Sequence, residues 1–345
     1  MHAKEGHVVE AWTTLEDDRP KHEVRGGYLV RRFRPLFSLF SNPLTISILP
    51  QLLRYEKTNF DLIVAHSHLM FTTIFASIKS WLSQRPLVLI SHGYEVKRGF
   101  VFDMLLRVYL ITIGRSIVRN SSFVVALTSR EANRLQKLGV PRERCDVIPS
   151  GVDSNFFRPN GKPTTGRRIV WTGRFVREKN LECLIRTVAL LKAKMPNVEL
   201  ILAGEGPERL TLMRLSKDLE VHTQVKFTGV LPPDGIVTLL HHASVFALPS
   251  TAEALPIAIL EAMSCGVPLV VAKGLGLEEI VDGSALFADN RDPAEWAAKI
   301  EKLLEDNELR RRMGSRGREL AVGRYDWQKV ADRLGEVFGS LAIGN

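Results

Sequence analysis

Cysteine is scarce in this 345-residue chain: three residues, Cys145, Cys183 and Cys265, stand far apart. That excludes a disulfide framework and a zinc knuckle, and it suits a reducing cytoplasm. Long apolar runs are missing too. The greasiest stretches, residues 36–53 and 100–113, are broken by Asn42, Pro43 and Pro50, and by Asp103 and Arg107. Neither reaches the roughly 18 apolar residues of a membrane-spanning helix. After Met1 comes Lys4-Glu5-Gly6-His7 rather than the apolar core of a signal peptide. No two aspartates stand in an Asp-x-Asp arrangement, so a divalent ion held by such a pair is not expected.

What is present is a globular composition, 45% hydrophobic and 25% charged, which excludes a disordered, collagen-like or fibrous chain. The net charge of +9 is unevenly placed: residues 1–150 carry +8 and the remainder +1. Within the basic half, Lys21, Arg25, Arg31, Arg32 and Arg34 cluster around the aromatic-aliphatic stretch 33–40. Two readings stay open, a solvated basic face or a contact with an anionic membrane surface, where each cation contributes about 1 kcal/mol. No recognition motif accompanies the charge, so nucleic acid is not an expected partner.

Short apolar runs alternate with longer amphipathic ones. Strands are predicted at 8–12, 62–65, 87–90, 123–127 and 147–149, then at 169–172, 199–203, 225–228, 245–248, 269–272 and 285–287. Helices are predicted at 130–138, 181–193, 208–219, 236–242, 257–265, 294–304, 308–321 and 327–341. This alternation predicts an α/β chain with parallel sheets covered by helices. The Pro- and Gly-rich stretch 157–166 reads as a linker. The expected architecture is two Rossmann-like domains facing across a cleft. Residues 1–155 form the first and 156–326 the second, with the last helix (327–345) free to pack back on the first. Ala3-Lys4-Glu5-Gly6-His7 reads as the last turn of a helix with a glycine stop. A doubly wound domain opens with a strand and a Gly-rich turn. The sequence therefore predicts that the first domain lacks its opening strand, roughly 20–30 residues, leaving a gap in its sheet.

Two segments carry chemistry. Gly173-Arg174-Phe175-Val176-Arg177-Glu178-Lys179-Asn180 follows a strand and precedes a helix. Gly173 allows close backbone approach, and Arg174, Lys179 and the helix start suit a diphosphate. The alternative is a turn with solvated charges. In Ser250-Thr251-Ala252-Glu253-Ala254-Leu255-Pro256-Ile257, Pro256 is expected at the first helical position, with Glu253 just before it. Glu261 lies a turn and a half further on, among apolar neighbours, where a buried acid needs partners. Two carboxylates bracketing a helix start could hold sugar hydroxyls, or Glu253 could be an ordinary cap.

In this order and separation the two segments resemble the retaining, GT-B-fold glycosyltransferases of the "glycosyl transferases group 1" family. The resemblance extends through Ile148-Pro149-Ser150-Gly151-Val152-Asp153, Leu202-Ala203-Gly204-Glu205-Gly206-Pro207, Phe227-Thr228-Gly229 and Glu279-Ile280-Val281-Asp282-Gly283. It is strong over residues 120–330 and thinner before. It implies transfer of a hexose-type sugar from a nucleotide-diphosphate sugar to a hydroxyl acceptor, a glycolipid or a polysaccharide precursor, with retention and without metal or other cofactor. Cell-envelope polysaccharide synthesis and a cytoplasmic, peripheral-membrane location would follow. Arg174 and Lys179 would bind the diphosphate, Glu253 the sugar hydroxyls and Glu261 the ribose. Leu255 and Ile257 would offer backbone to phosphate or sugar, while Gly173, Gly204, Glu205 and Gly229 would line the nucleotide pocket. His92, in Ser91-His92-Gly93, matches the family's strand-end histidine near the reacting carbon. His66 and His68 match a similar pair, substrate-facing or structural, whereas His222, His241 and His242 read as structural or solvated.

The chain departs from the family pattern in three places. Ala254 stands where Gly is usual, Ser150 where Asn is usual, and the Gly-rich turn after the opening strand is not found. Two other functions remain on the same residues: a nucleotide-sugar 2-epimerase, and a truncated nucleotide-binding module without transfer activity.

Overall fold

One glycine pair and short apolar runs set the strands of the first half. The computed structural model describes residues 6–15, 19–39, 42–55, 60–93, 99–161 and 166–342. It divides into two units, Met1–Pro149 with Gln328–Asn345, and Ser150–Trp327.

In the first unit the strands fall into separate sheets. Strands β1 (Glu10–Thr14), β2 (His22–Arg25) and β3 (Tyr28–Phe33) form one in the order β1-β3-β2, with β1 parallel and β2 antiparallel to β3. The β2–β3 hairpin turns at Gly26-Gly27, where φ is 57° and 89°. A two-residue turn with positive φ at both positions matches the twist of the flanking strands. Strands β4 (Phe37–Leu39) and β5 (Asn42–Leu44) make a small second hairpin, followed by helix α1 (Leu49–Arg54). Both antiparallel pairs fall where the sequence predicted no strand, and they add to the expected parallel sheets.

Strands β6 (Ile63–His66), β7 (Leu87–Ser91), β8 (Phe123–Ala126) and β9 (Cys145–Val147) form a four-stranded parallel sheet in chain order. Its crossovers are α2 (Phe71–Ser83), α3 (Phe100–Tyr109) continued through a π-helical turn into α4 (Arg115–Asn120), and α5 (Ser129–Lys137). Among the described residues this sheet shares no hydrogen-bonded strand pair with the β1-β3-β2 sheet. Helix α5 starts with an N-cap: the Thr128 hydroxyl accepts from the Glu131 N–H. The helix end expected at residues 3–5 and part of the linker, 162–165, lie outside the described residues. Gly6 itself has φ 92°.

The basic cluster is divided by the fold. Arg32 is buried, paired with Glu23 at 3.0 Å and donating to the Pro20 carbonyl at 2.8 Å. Arg31 pairs with Glu10 at 3.1 Å. Lys21, Arg25 and Arg34 remain exposed.

The second unit is one six-stranded parallel sheet, ordered β12-β11-β10-β13-β14-β15. Its elements are β10 (Arg168–Thr172), α6 (Leu181–Lys192), β11 (Glu199–Ala203), α7 (Arg209–Asp218), β12 (Val225–Gly229) and α8 (Pro233–His241). Then follow β13 (Val245–Leu248), α9 (Ile257–Ser264), β14 (Leu269–Ala272), α10 (Glu278–Val281), β15 (Ala285–Ala288), α11 (Pro293–Glu305) and α12 (Asn307–Arg324). The central strands are buried on both faces, as continuous Val/Leu/Ile runs require. Trp171, Phe246 and Trp296 are fully buried in the core. Where α12 crosses α9, a methyl on Gly314 would overlap the Gly266 carbonyl oxygen.

The chain's entry and exit are paired. The Val152 N–H donates to the Tyr325 carbonyl at 2.7 Å, and the Trp327 N–H donates back to Val152 at 3.0 Å. This ties residues 150–155 into the second unit, where the sequence placed them in the first. Helix α13 (Trp327–Ala342) passes into the first unit from Gln328 onward, and its Arg333 pairs with Asp146 at 2.8 Å. Among the described residues no helix is long and apolar enough to cross a membrane.

Candidate functional site

In an open parallel sheet the loops at the strands' carboxyl ends converge where the strand order reverses, and ligands bind there. In the second unit that point lies between β10 and β13, adjacent strands that reach opposite edges of the sheet. The two segments with chemical promise are the loops leaving these strands.

The loop after β10 begins at Gly173, whose N–H donates to the Ala203 carbonyl at 2.9 Å. Gly204, at the end of β11, has φ 141° and donates to the Gly229 carbonyl at 2.8 Å. A side chain at Gly204 would overlap the Gly173 carbonyl oxygen, so close backbone approach, not only conformational freedom, demands glycine there. Glu205 follows, ion-paired with Arg209 one helical turn on and lying against Gly229. Gly173, Gly204, Glu205 and Gly229 are thus gathered at the ends of β10, β11 and β12.

Further along the same loop, Arg177–Lys179 makes a tight 3-10 turn and Asn180 takes a left-handed conformation, φ 50° and ψ 43°. Its side-chain amide donates to the Pro249 carbonyl at 3.3 Å and the Asn290 carbonyl at 2.7 Å. The Thr251 N–H reaches the Glu178 carbonyl at 2.8 Å. These bonds lash the loop after β10 to the loops after β13 and β15. The consequence is a contact that the sequence did not foresee: Lys179 Nζ lies 2.6 Å from Glu253 Oε1. Ser250 Oγ donates to the same oxygen at 2.7 Å. The Glu253 side chain is 8% exposed and that of Lys179 24%. A nearly buried carboxylate is therefore held by one ammonium and one hydroxyl.

Arg174 is exposed, and no ion-pair partner for it occurs among the described residues. Pro256 is the residue before the helix, not its first, with φ −72° and ψ 121°, so α9 opens at Ile257. That corrects the expected start by one residue. Leu255 is buried and Ile257 half-exposed. Glu261, in the second turn of α9, has its carboxyl pushed up from the ordinary value by burial.

The three candidate histidines, His66, His68 and His92, lie in the first unit. His92 follows β7, and its Nε2 is 3.0 Å from Nδ1 of His66 at the end of β6, with the rings stacked 5.3 Å apart. Burial holds both below the usual imidazole range, and for His66 the neighbouring His92 adds to the effect. His68 is fully buried and its imidazole is pushed down to about 4 by burial, which leaves it the structural one of the three. Beside His92, Ser91 Oγ donates to the buried Glu131 carboxylate at 2.5 Å.

Sequence reasoning missed Ser250, Asn180 and Asn290 as supports. Only the Ser250-x-x-Glu253 spacing offered a signal. The asparagines act through main-chain carbonyls distant in sequence, which no local pattern announces.

Residues 152–320 match the family described as "Glycosyl transferases group 1", and residues 2–156 match "Glycosyltransferase Family 4". A GDP-mannose-dependent alpha-(1-6)-phosphatidylinositol monomannoside mannosyltransferase of Mycolicibacterium smegmatis is 30% identical over 275 residues, 73% of this chain and 70% of the relative. A D-inositol 3-phosphate glycosyltransferase of Corynebacterium jeikeium is 30% identical over 250 residues, 66% of this chain but 59% of the relative's length. Among solved structures, sucrose-phosphate synthase from Thermosynechococcus elongatus superposes with a TM-score of 0.82 at 20% identity, covering 100% of this chain and 91% of that one. Anabaena HepE in complex with UDP-glucose gives 0.73 at 23% identity, covering 90% and 86%. The fold is that of the GT-B glycosyltransferases, two α/β domains with parallel sheets.

Proposed function

The chain belongs to the group 1 glycosyltransferases, and from that membership we propose that it moves a hexose-type sugar from a nucleotide-diphosphate sugar to a hydroxyl acceptor, with retention of configuration and without a metal ion. The observation that carries this reading is the Lys179–Glu253 contact at the switch point of the second sheet. An ammonium has three protons to donate and a carboxylate about four acceptor sites. Lys179 can therefore keep Glu253 and still donate to a diphosphate, while Glu253 accepts from sugar hydroxyls. Arg174, exposed on the same loop, supplies the second cation. Glu261, whose carboxyl is destabilised by burial, gains most from hydroxyl donors and suits a ribose.

In the proposed reaction the bond from the anomeric carbon to the diphosphate oxygen breaks as the acceptor oxygen bonds to the same face. The leaving phosphate takes the acceptor's proton, and Arg174 and Lys179 neutralise its charge in place of a divalent ion. His92, which matches the family's strand-end histidine, is assigned a catalytic role in this reading, with His66 holding its ring. We take the acceptor to be a glycolipid or polysaccharide precursor of the cell envelope, met by a cytoplasmic protein peripheral to the membrane. The mannosyltransferase relative named for phosphatidylinositol monomannoside and the basic first unit support that choice, as do three free cysteines.

Calorimetric titration with UDP- and GDP-sugars, with product analysis, tests the proposal. Binding followed by transfer or slow donor hydrolysis, with the anomer retained, is expected. Binding without turnover would favour the nucleotide-binding module, inversion at the sugar C2 the epimerase, and no binding of either donor class would overturn the assignment.

A further inference from the structure

Residues 100–120 form a continuous helical stretch, α3, the π-helical turn Leu110–Gly114, and α4. One side is core: Leu110, Gly114, Ile117 and Val118 are buried, and the Tyr109 hydroxyl donates to the His68 carbonyl at 2.7 Å. The opposite side reverses the usual pattern, in which the outward face of a helix is polar. Phe100 is 84% exposed, and Met104, Leu105, Val108 and Ile111 are each about half exposed. Phe100, Met104, Val108 and Ile111 recur at helical spacing, so they share one stripe. The π-helical turn keeps both Leu110 and Gly114 inward while Ile111 and Ile113 point out.

Arg107, Arg115 and Arg119 are exposed on the same stretch, and residues 104–120 contain no acidic side chain. An apolar stripe on a firmly packed helix, flanked by three exposed arginines and with one acid, Asp103, in its first turn, is the composition of a helix lying in the plane of a lipid interface. Arginine stems cover apolar surface while the guanidinium groups reach phosphate. Charge selects the occupant: the half of the chain that carries this helix has a balance of +8, which suits anionic headgroups.

We propose that the outward face of α3–α4 is the docking surface for an anionic lipid bilayer. The proposal deepens the membrane-peripheral reading above and rests on it. It transfers the contact from the β2–β3 hairpin, where Arg31 and Arg32 are ion-paired with acids, to α3–α4.

The test is flotation of the full chain with vesicles of phosphatidylcholine containing phosphatidylglycerol, and with phosphatidylcholine alone. The chain is expected to float with the anionic vesicles and to be released by salt. Combined Arg107→Glu, Arg115→Glu and Arg119→Glu substitutions are expected to weaken partition about a hundredfold, at about fivefold per cation. Combined Leu105→Glu, Val108→Glu and Ile111→Glu substitutions should abolish it, while Lys21→Glu, Arg25→Glu and Arg34→Glu leave most of it. Should the helix variants be misfolded, Ile111→Trp gives an independent readout, with quenching by brominated lipid expected. No quenching would overturn the proposal. So would unchanged flotation of folded helix variants, or a parent dimer that those variants dissolve without any vesicle binding. Donor titration of the same variants in solution keeps the enzymatic reading separate, since nucleotide-sugar binding is expected to be unchanged in them.

Discussion

Replacing Lys179 by alanine separates the stabilising and the chemical roles of one ion pair. Lys179 Nζ is 2.6 Å from a Glu253 carboxylate whose side chain is 8% exposed. Removing one partner of a buried pair costs about 3–5 kcal/mol, mostly because the remaining charge is stranded. Two features reduce that here. The Lys179 side chain is 24% exposed, and Ser250 Oγ still donates to Glu253 at 2.7 Å. We therefore expect a loss of about 2 kcal/mol, which in a unit of this size lowers its melting temperature by about 4–8 °C. Turnover should fall further than stability explains. A donor aimed at charge developing in the transition state is worth about 2.7–4 kcal/mol, or 10²–10³-fold. The Lys179→Met, Glu253→Gln double variant removes both charges and should recover most of the stability without recovering transfer. Thermal unfolding and release of free nucleotide from donor, measured on the parent and the two variants, decide it. If Lys179→Ala melted with the parent and turned over within a few-fold of it, the argument from this contact would be refuted.

Four further outcomes are expected. Arg174→Ala should lower transfer by a comparable factor with little change in melting, because Arg174 is exposed; equal loss of stability would show a structural role instead. Glu261→Gln removes a carboxylate that burial disfavours, so it should leave the fold as stable or more so while weakening nucleotide binding about tenfold or more by calorimetry, as loss of charge-assisted hydrogen bonds does. His68 titrates at about 4 when folded against 6.5 when free, so the unfolded chain binds its proton first. Its stabilising contribution is complete above pH 6.5 and is lost as pH falls toward 4, about 3 kcal/mol in all; His68→Gln should flatten part of that slope in urea titrations, and His66 and His92 act in the same direction. Transfer should persist in excess EDTA, and a loss restored by a divalent ion would remove the metal-free mechanism.

The second sheet was legible because its strands are short apolar runs bounded by helices: β11, β13 and β14 coincide with the predicted 199–203, 245–248 and 269–272. The first unit was harder. Residues 22–33 carry three arginines and no regular apolar/polar alternation, so no strand pattern flanks Gly26-Gly27, the turn that makes a hairpin of them. Helix α2 was missed because Phe71–Ser83 mixes apolar and small residues around most of its circumference, blurring the helical period. At the candidate site, glycines at strand ends and charges on loops could be read locally. The meeting of Lys179 with Glu253 could not, since it depends on β10 lying beside β13 and on Asn180 spanning two other loops.

The hydrogen bonds between Val152 and residues 325–327 bear on how such a protein can be taken apart. Because the second unit begins and ends on one rung, its termini need almost no spacer to be rejoined. It is a cassette open to circular permutation or grafting with two nearby cuts.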